Sequence, residues 1–218
     1  YASISQSGNM SYASSTITQS VTSNIALGSN NNQIIGIQVV ATGRCNPINI
    51  TQFSLNTNGS TQPSTDITRA KIWVTGSSST FDTTLLFGEY SGPNGAFNVT
   101  GNYTLSEGVN YFWLTYDVPL TATGGNVVDA EIEGVVVGGA NYIPITTTIA
   151  GNRTLGIKTI ISNGTGGGNW NDPSTWQGGI IPTIYDIVQI LANDIVNMNT
   201  SGRVYRFNDA ERRKVECK

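Results

Sequence analysis

The sequence predicts an all-β protein: an antiparallel β-sandwich, jelly-roll or immunoglobulin-like, of about eight or nine strands, followed by a short partial second β-module. Three observations predict it. Apolar residues alternate with polar ones in short blocks bounded by Gly, Pro, Asn and Ser along the whole chain. No stretch carries the i, i+3, i+4, i+7 apolar spacing of an amphipathic helix. Charged residues make up only 11% of the 218, so hydroxyls and amides must wet the surface, as is common in secreted β-proteins.

The strands follow in order. QIIGIQVVATG (33–43) places Ile35, Ile37, Val39 and Ala41 on one face, and INITQFSLNT (48–57) follows a turn built on Asn46-Pro47. ITRAKIWVTG (67–76), TTLLFGEY (83–90) and GAFNVTG (95–101) come next. NYFWLTYDV (110–118) points Phe112, Leu114, Tyr116 and Val118 one way and Tyr111, Trp113, Thr115 and Asp117 the other. One apolar and one amphipathic face is what a half-buried sheet needs. NVVDAEIEGVVVGG (126–139) and YIPITTTIAG (142–151) complete the set.

Composition changes after TLGIKTIIS (154–162), where NGTGGGN reads as a linker or loop. The expected organisation is an N-terminal extension or edge strand at 1–19, a sandwich at 20–155 and a Gly-rich linker at 156–168. The start of a second β-module at 169–202 and a basic tail at 203–218 complete it. In the second module IYDIVQILANDIVNMN alternates again, with Ile184, Asp186, Val188 and Ile190 on one side. Just before it, GNWNDPSTW sets Trp170 and Trp176 around an Asp172-Pro173 turn. The two rings are expected to form a structural lid over the first apolar residues of that module; a sugar-stacking platform is the alternative.

Several function classes are excluded. The chain has no histidine, which removes Ser-His-Asp and Cys-His catalysis and imidazole-based zinc sites. No phosphate-cradling glycine motif occurs; GTGGGNW lacks the lysine and the helix. The first 202 residues carry five basic and eleven acidic side chains, so no electrostatic footprint for nucleic acid exists there. No apolar run is long enough for a membrane span. Cys45 and Cys217 are too few and too far apart to read as a disulfide framework. The opening YASISQSGNM reads as a mature chain whose signal has been removed.

Three constellations remain as candidates. Asp129, Glu131 and Glu133 alternate on one strand face; they read first as an acid-lined solvent face, with a calcium site as the functional option and a glycosidase pair behind it. Trp73, Trp113 and Tyr111, with Tyr90 and Tyr103 beside them, lie on or next to strands, where flat rings can stack on sugars or simply pair across the sheet. Asp82-Thr83-Thr84 fits a short bacterial O-glycosylation pattern centred on Thr83. No cofactor is expected, calcium apart.

The blocks NQIIGIQVVATGRCNPINITQFSLNTNGST (32–61), DITRAKIWVTG (66–76), FDTTLLFG (81–88) and GAFNVTGNYTLSEGVNYFWLTYDV (95–118), closed by NVVDAEIEGVVVGG, resemble the β-sandwich domain that accompanies BNR-repeat sialidases. The resemblance carries over no catalytic residue, and no sialidase Asp-box repeat is present. It implies an accessory or spacer module on exported bacterial proteins, some sent to the surface by type IX secretion. GNWNDPSTWQGGIIP separately resembles the opening of repeat modules in large exported proteins, which lead into β-helix-like or sandwich strands. The expected function is thus non-enzymatic: a secreted or cell-surface spacer or adhesin component, touching other domains or copies of the same protein through loops or sheet edges. A carbohydrate-binding accessory module of a sialidase or other glycosidase is the alternative.

Overall fold

The computed structural model describes residues 8–156, 159–182 and 186–198, and the backbone of 206–207 and 215–217. Expectations that fall on residues 1–7, on Ile184 or on the side chains of the basic tail, Cys217 included, lie outside the described residues. The chain divides into two compact units, Tyr1–Leu155 and Gly156–Lys218.

The first unit is a sandwich of two antiparallel sheets. Its strands are β1 (Ser11–Thr18), β2 (Asn32–Thr42), β3 (Asn49–Asn56), β4 (Arg69–Gly76), β5 (Leu85–Ser91), β6 (Ala96–Thr104), β7 (Gly108–Asp117), β8 (Val127–Val128), β9 (Glu131–Val137), β10 (Ala140–Tyr142) and β11 (Arg153–Thr154). One sheet has the order β1-β2-β7-β4-β5 and the other β10-β9-β3-β6, while β8 pairs with β11 separately. The alternation in the sequence sets which side chains face inward. Ile35, Ile37, Val39 and Ala41 of β2 and Phe112, Leu114 and Tyr116 of β7 are all fully buried. From the opposing sheet, Phe53 lies 5.0 Å from Phe112 and edge-on to Phe87 at 5.2 Å. Tyr103 of β6 meets Phe112 edge-on at 5.6 Å. Burying one such aromatic side chain contributes about 2–3 kcal/mol.

Two glycines let the sheets meet at one side. A Cβ at Gly88 on β5 would sit 2.1 Å from the carbonyl oxygen of Thr100, and one at Gly101 on β6 would sit 2.2 Å from that of Phe87. Backbone touches backbone there, so any side chain forces the strands apart.

The structure defines three segments more closely than the sequence does. Residues 11–18 form β1, a full edge strand with its own ladder to β2, and the Ser15 carbonyl on its other side accepts from Ile145 N at 2.8 Å. The expected strand at 142–151 ends at Tyr142 and continues irregularly. Pro144 has no N–H for a ladder, and the segment ties the sheets by single bonds instead: Ile145 to Ser15, and Ile132 N to the Thr147 carbonyl at 3.0 Å. The long run 184–199 is broken into two strands by a turn at Asn193, whose φ is 71°.

Among the described residues of the second unit the strand ladders are parallel. Strands β12 (Thr159–Ile161), β14 (Ile187–Gln189) and β16 (Arg206–Phe207) make one sheet; β13 (Gly167–Asn169), β15 (Ile195–Met198) and β17 (Val215–Cys217) make another. The chain steps from one sheet to the other and back, each strand stacking on the next of its kind. Its core holds Ile160, Trp170, Trp176, Val188, Ile190 and Val196.

Candidate functional site

The outer face of the five-stranded sheet brings the predicted strand aromatics together. Trp73 on β4 stands directly opposite Trp113 on β7, and Tyr111, two residues from Trp113, lies nearly parallel to its ring at 6.3 Å. Each indole is anchored by a neighbouring threonine: Trp73 Nε1 donates to Thr115 Oγ1 at 3.0 Å and Trp113 Nε1 to Thr75 Oγ1 at 2.8 Å. Gly36 on β2 leaves room for the Trp113 ring, which would be 2.8 Å from a Cβ there. From above, Phe81 meets the same ring at 5.9 Å. Trp113 is therefore only 6% exposed and offers no open face for a sugar; Trp73 and Tyr111 are half-buried. The covering loop is distant in sequence, so the alternation within NYFWLTYDV could not reveal it. Tyr90 is 40% exposed and packs on Phe97 at 5.4 Å.

The face also carries a nearly buried ion pair. Lys71 Nζ lies 2.6 Å from Asp117 Oδ2, with side-chain exposures of 15% and 8%. Asp117 Oδ1 accepts from Asn31 N at 2.8 Å, and Lys71 donates to Asn31 Oδ1 at 3.0 Å. Both charges are spent on fixing the Asn31 turn, whose φ of 56° is left-handed.

Beside Trp113, the loop between β4 and β5 walls a pocket of about 560 Å³. Val74, Phe81, Leu85 and Tyr103 supply its apolar surface, and Asp82 and Thr84 are among its polar groups. Leu85 is half exposed. The loop is held by its own bonds: Thr75 Oγ1 donates to the Ser78 carbonyl at 2.6 Å, and Thr84 N to Asp82 Oδ1 at 2.6 Å. Thr84 Oγ1 also donates to Asp82 Oδ1. Sequence reasoning named Tyr103 and Asp82 singly but had no means of joining them, because β6 and the loop meet only through sheet packing. Thr83 stands exposed on this loop.

The acidic run does not converge. Glu133 Oε1 accepts from Asn56 Nδ2 at 2.8 Å, and Glu131 Oε2 from Asn58 Nδ2 at 2.9 Å. Asp129 precedes β9 and turns toward Ala130 N, 2.8 Å away, and Gln19 Nε2, 3.5 Å away. Burial raises the Asp129 carboxyl above the ordinary carboxylate range, with the Ala130 and Gln19 bonds opposing and the Glu131 charge adding a little. Among the described residues no three His, Cys, Asp or Glu side chains are grouped to hold a metal ion. Asp129 also lies under Tyr116, whose hydroxyl donates to its carbonyl at 3.2 Å and whose own pKa is pushed up by complete burial.

In the second unit Trp170 and Trp176 are 0% and 3% exposed. They meet edge-to-face at 5.1 Å, and Trp176 Nε1 donates to the Trp170 carbonyl at 2.9 Å. Between them Asp172 caps the short 3-10 turn Pro173–Thr175, accepting from Ser174 N at 2.9 Å; that bond lowers its pKa. Asp194, also buried, gathers the glycine-rich turn by accepting from Gly164 N and Gly166 N, each at 2.8 Å, and from the Ser162 hydroxyl.

The first unit is thus an all-β sandwich with a side-chain-lined loop pocket. A match to the family described as the N-terminal domain of BNR-repeat neuraminidase runs over residues 13–141, and the chain belongs to that family. Among solved structures the Hadza microbial sialidase Hz136 matches with a TM-score of 0.51 at 13% identity, over 68% of this chain and 35% of that one. The likeness is one of fold, and the chain spans about a third of that sialidase's length. None of the curated proteins matches. Among the described residues no helix is long and apolar enough to cross a membrane.

Proposed function

We propose that the chain is a non-catalytic module of a larger exported, sialidase-like bacterial surface protein, where it spaces and presents neighbouring domains and takes part in adhesion. One observation carries the reading: the carboxylates that the sequence offers for hydrolytic chemistry, Asp129, Glu131 and Glu133, are each bonded to the fold rather than grouped at one site. Glu131 and Glu133 each accept from a separate asparagine, and Asp66, Asp117 and Asp194 tie loops from within. Membership of a family described as the N-terminal domain of BNR-repeat neuraminidase supports the same reading. The module needs no cofactor, and its partners are other domains or copies of the same protein. Extracellular localisation agrees with a surface wetted by hydroxyls and amides. O-glycosylation at Thr83 belongs to this picture, and the intact mass of the exported protein tests it.

The experiment removes residues 10–155 from the protein that carries them and assays sialoside hydrolysis on a small soluble substrate and on intact cells. The spacer reading expects unchanged turnover of the soluble substrate and a several-fold loss on cells. Loss of soluble turnover to the same degree contradicts it.

A further inference from the structure

Three side chains from neighbouring strands of the five-stranded sheet stand in an arrangement that permits a covalent bond. We propose that Lys71 and Asn31 join through a spontaneous isopeptide bond, from Nζ to Cγ, with Asp117 as the general base. Asn31 immediately precedes β2, Lys71 lies on β4, and Asp117 ends β7, the strand between them. Lys71 Nζ donates to Asn31 Oδ1 at 3.0 Å, so the nucleophile has only to shift from that oxygen to the carbon that bears it.

One carboxylate holds both reactants. Asp117 Oδ2 lies 2.6 Å from Lys71 Nζ, and Asp117 Oδ1 accepts from Asn31 N at 2.8 Å. Fixing amine and carboxamide at contact distance replaces the encounter that makes attack on an amide slow in free solution. Glu89, the cross-strand neighbour of Lys71 on β5, is paired with Arg69 and does not compete for the amine. The leaving nitrogen, Asn31 Nδ2, donates to no other group among the described residues.

The step balances without oxidant, reductant or added reagent. Asp117 Oδ2 takes one proton from the Lys71 ammonium as the amine attacks. The freed lone pair forms the Nζ–Cγ bond, a second Nζ proton passes to Nδ2, the Cγ–Nδ2 bond breaks and ammonia leaves. The Asp117 carboxyl keeps its proton. Ammonium and carboxylate are then both gone, and no unpaired charge stays in a site that water barely reaches. The product ties β2 to β4 across β7 and closes the chain between residues 31 and 71 into a covalent loop. A pull on the chain ends leaves that loop closed, whether or not the module acts as a spacer.

The test is the intact mass of the full chain, incubated folded at neutral pH and then denatured, followed by fragmentation of a protease digest. The expected mass is below that of the sequence by one ammonia, with the peptides of Asn31 and Lys71 found joined. Lys71→Arg keeps a cation beside Asp117 and should show the full sequence mass. Asp117→Ala removes the base and should slow formation about a hundredfold, with amide spectra showing that both variants are folded. A wild-type chain that stays at full mass overturns the proposal. Loss of ammonia with the two peptides separate also overturns it, by placing a cyclic imide at an Asn-Gly pair such as Asn58-Gly59. Loss of water overturns it too, by joining Lys71 to Asp117 instead. Formation at the wild-type rate in folded Asp117→Ala overturns the role given to Asp117. All these outcomes leave the spacer role, which cell-surface hydrolysis reads, standing or falling separately.

Discussion

The indole of Trp176 donates to the main-chain carbonyl of Trp170 at 2.9 Å while the two rings meet edge-to-face at 5.1 Å. One side chain thus closes the NDPST turn and fills the core of the second unit. Trp176→Phe keeps most of the packing but removes the indole bond to the Trp170 carbonyl, a loss of about 1 kcal/mol. Trp176→Ala also opens a cavity and should cost about 3–5 kcal/mol. Hydrogen exchange at the amides of residues 160–176 checks both, with faster exchange expected in the order Ala, Phe, wild type. Equal protection in all three would show that the pair does not hold the turn.

The contact between β5 and β6 makes a sharper prediction. A methyl at Gly88 would lie 2.1 Å from the Thr100 carbonyl oxygen, so Gly88→Ala should destabilise the sandwich by about 3 kcal/mol. Gly8→Ala is the control, since a Cβ there meets nothing within 4 Å, and its change should stay within about 0.5 kcal/mol. Urea midpoints of the two variants measure the difference.

Strand faces were legible in the sequence because one period decides them. The alternation of QIIGIQVVATG places Ile35, Ile37, Val39 and Ala41 inward, and all four are fully buried. What covers the other face was not legible. Trp113 stands on the outward side of β7, yet Phe81 from a loop thirty residues earlier covers it. The spacing of Asp129, Glu131 and Glu133 predicts a common face, and Glu131 and Glu133 do flank the buried Ile132, but the partners of the three carboxylates, Gln19 for Asp129 and Asn58 and Asn56 for the glutamates, come from two other segments that the spacing could not name. The parallel stacking in the second unit was hidden for a related reason: strands of two to four residues carry too few side chains to state their register.

Lys71 and Asp117 form a pair that water barely reaches, with side-chain exposures of 15% and 8%. Lys71→Met leaves the Asp117 charge without its cation and should cost about 3 kcal/mol. A surface pair would lose far less, so a change below about 1 kcal/mol in thermal or urea unfolding would contradict the geometry.

Asp129 predicts a pH dependence. Its pKa is raised in the folded chain by burial, so the folded state holds the proton more tightly than the unfolded state does. The stability this provides is complete below the unfolded carboxylate value of about 3.9 and is lost as pH rises through the folded value. Asp172, lowered by the Ser174 N–H, acts in the opposite sense: its contribution is present above the unfolded value and lost as pH falls through the folded one. Asp129→Asn should therefore flatten the decline in stability above about pH 4, while Asp172→Asn should flatten the acid side. Superimposable stability curves for wild type and Asp129→Asn would contradict the first assignment.

The central claim is that the sandwich acts by position rather than by chemistry. Exchange of residues 10–155 for an unrelated β-sandwich of similar length, in the protein that carries them, tests it most directly. Hydrolysis of cell-surface sialosides is then compared with the deletion and with wild type. The spacer account predicts that the exchange restores most of the activity the deletion loses. Activity that stays at the level of the deletion would contradict it and make this particular sandwich indispensable.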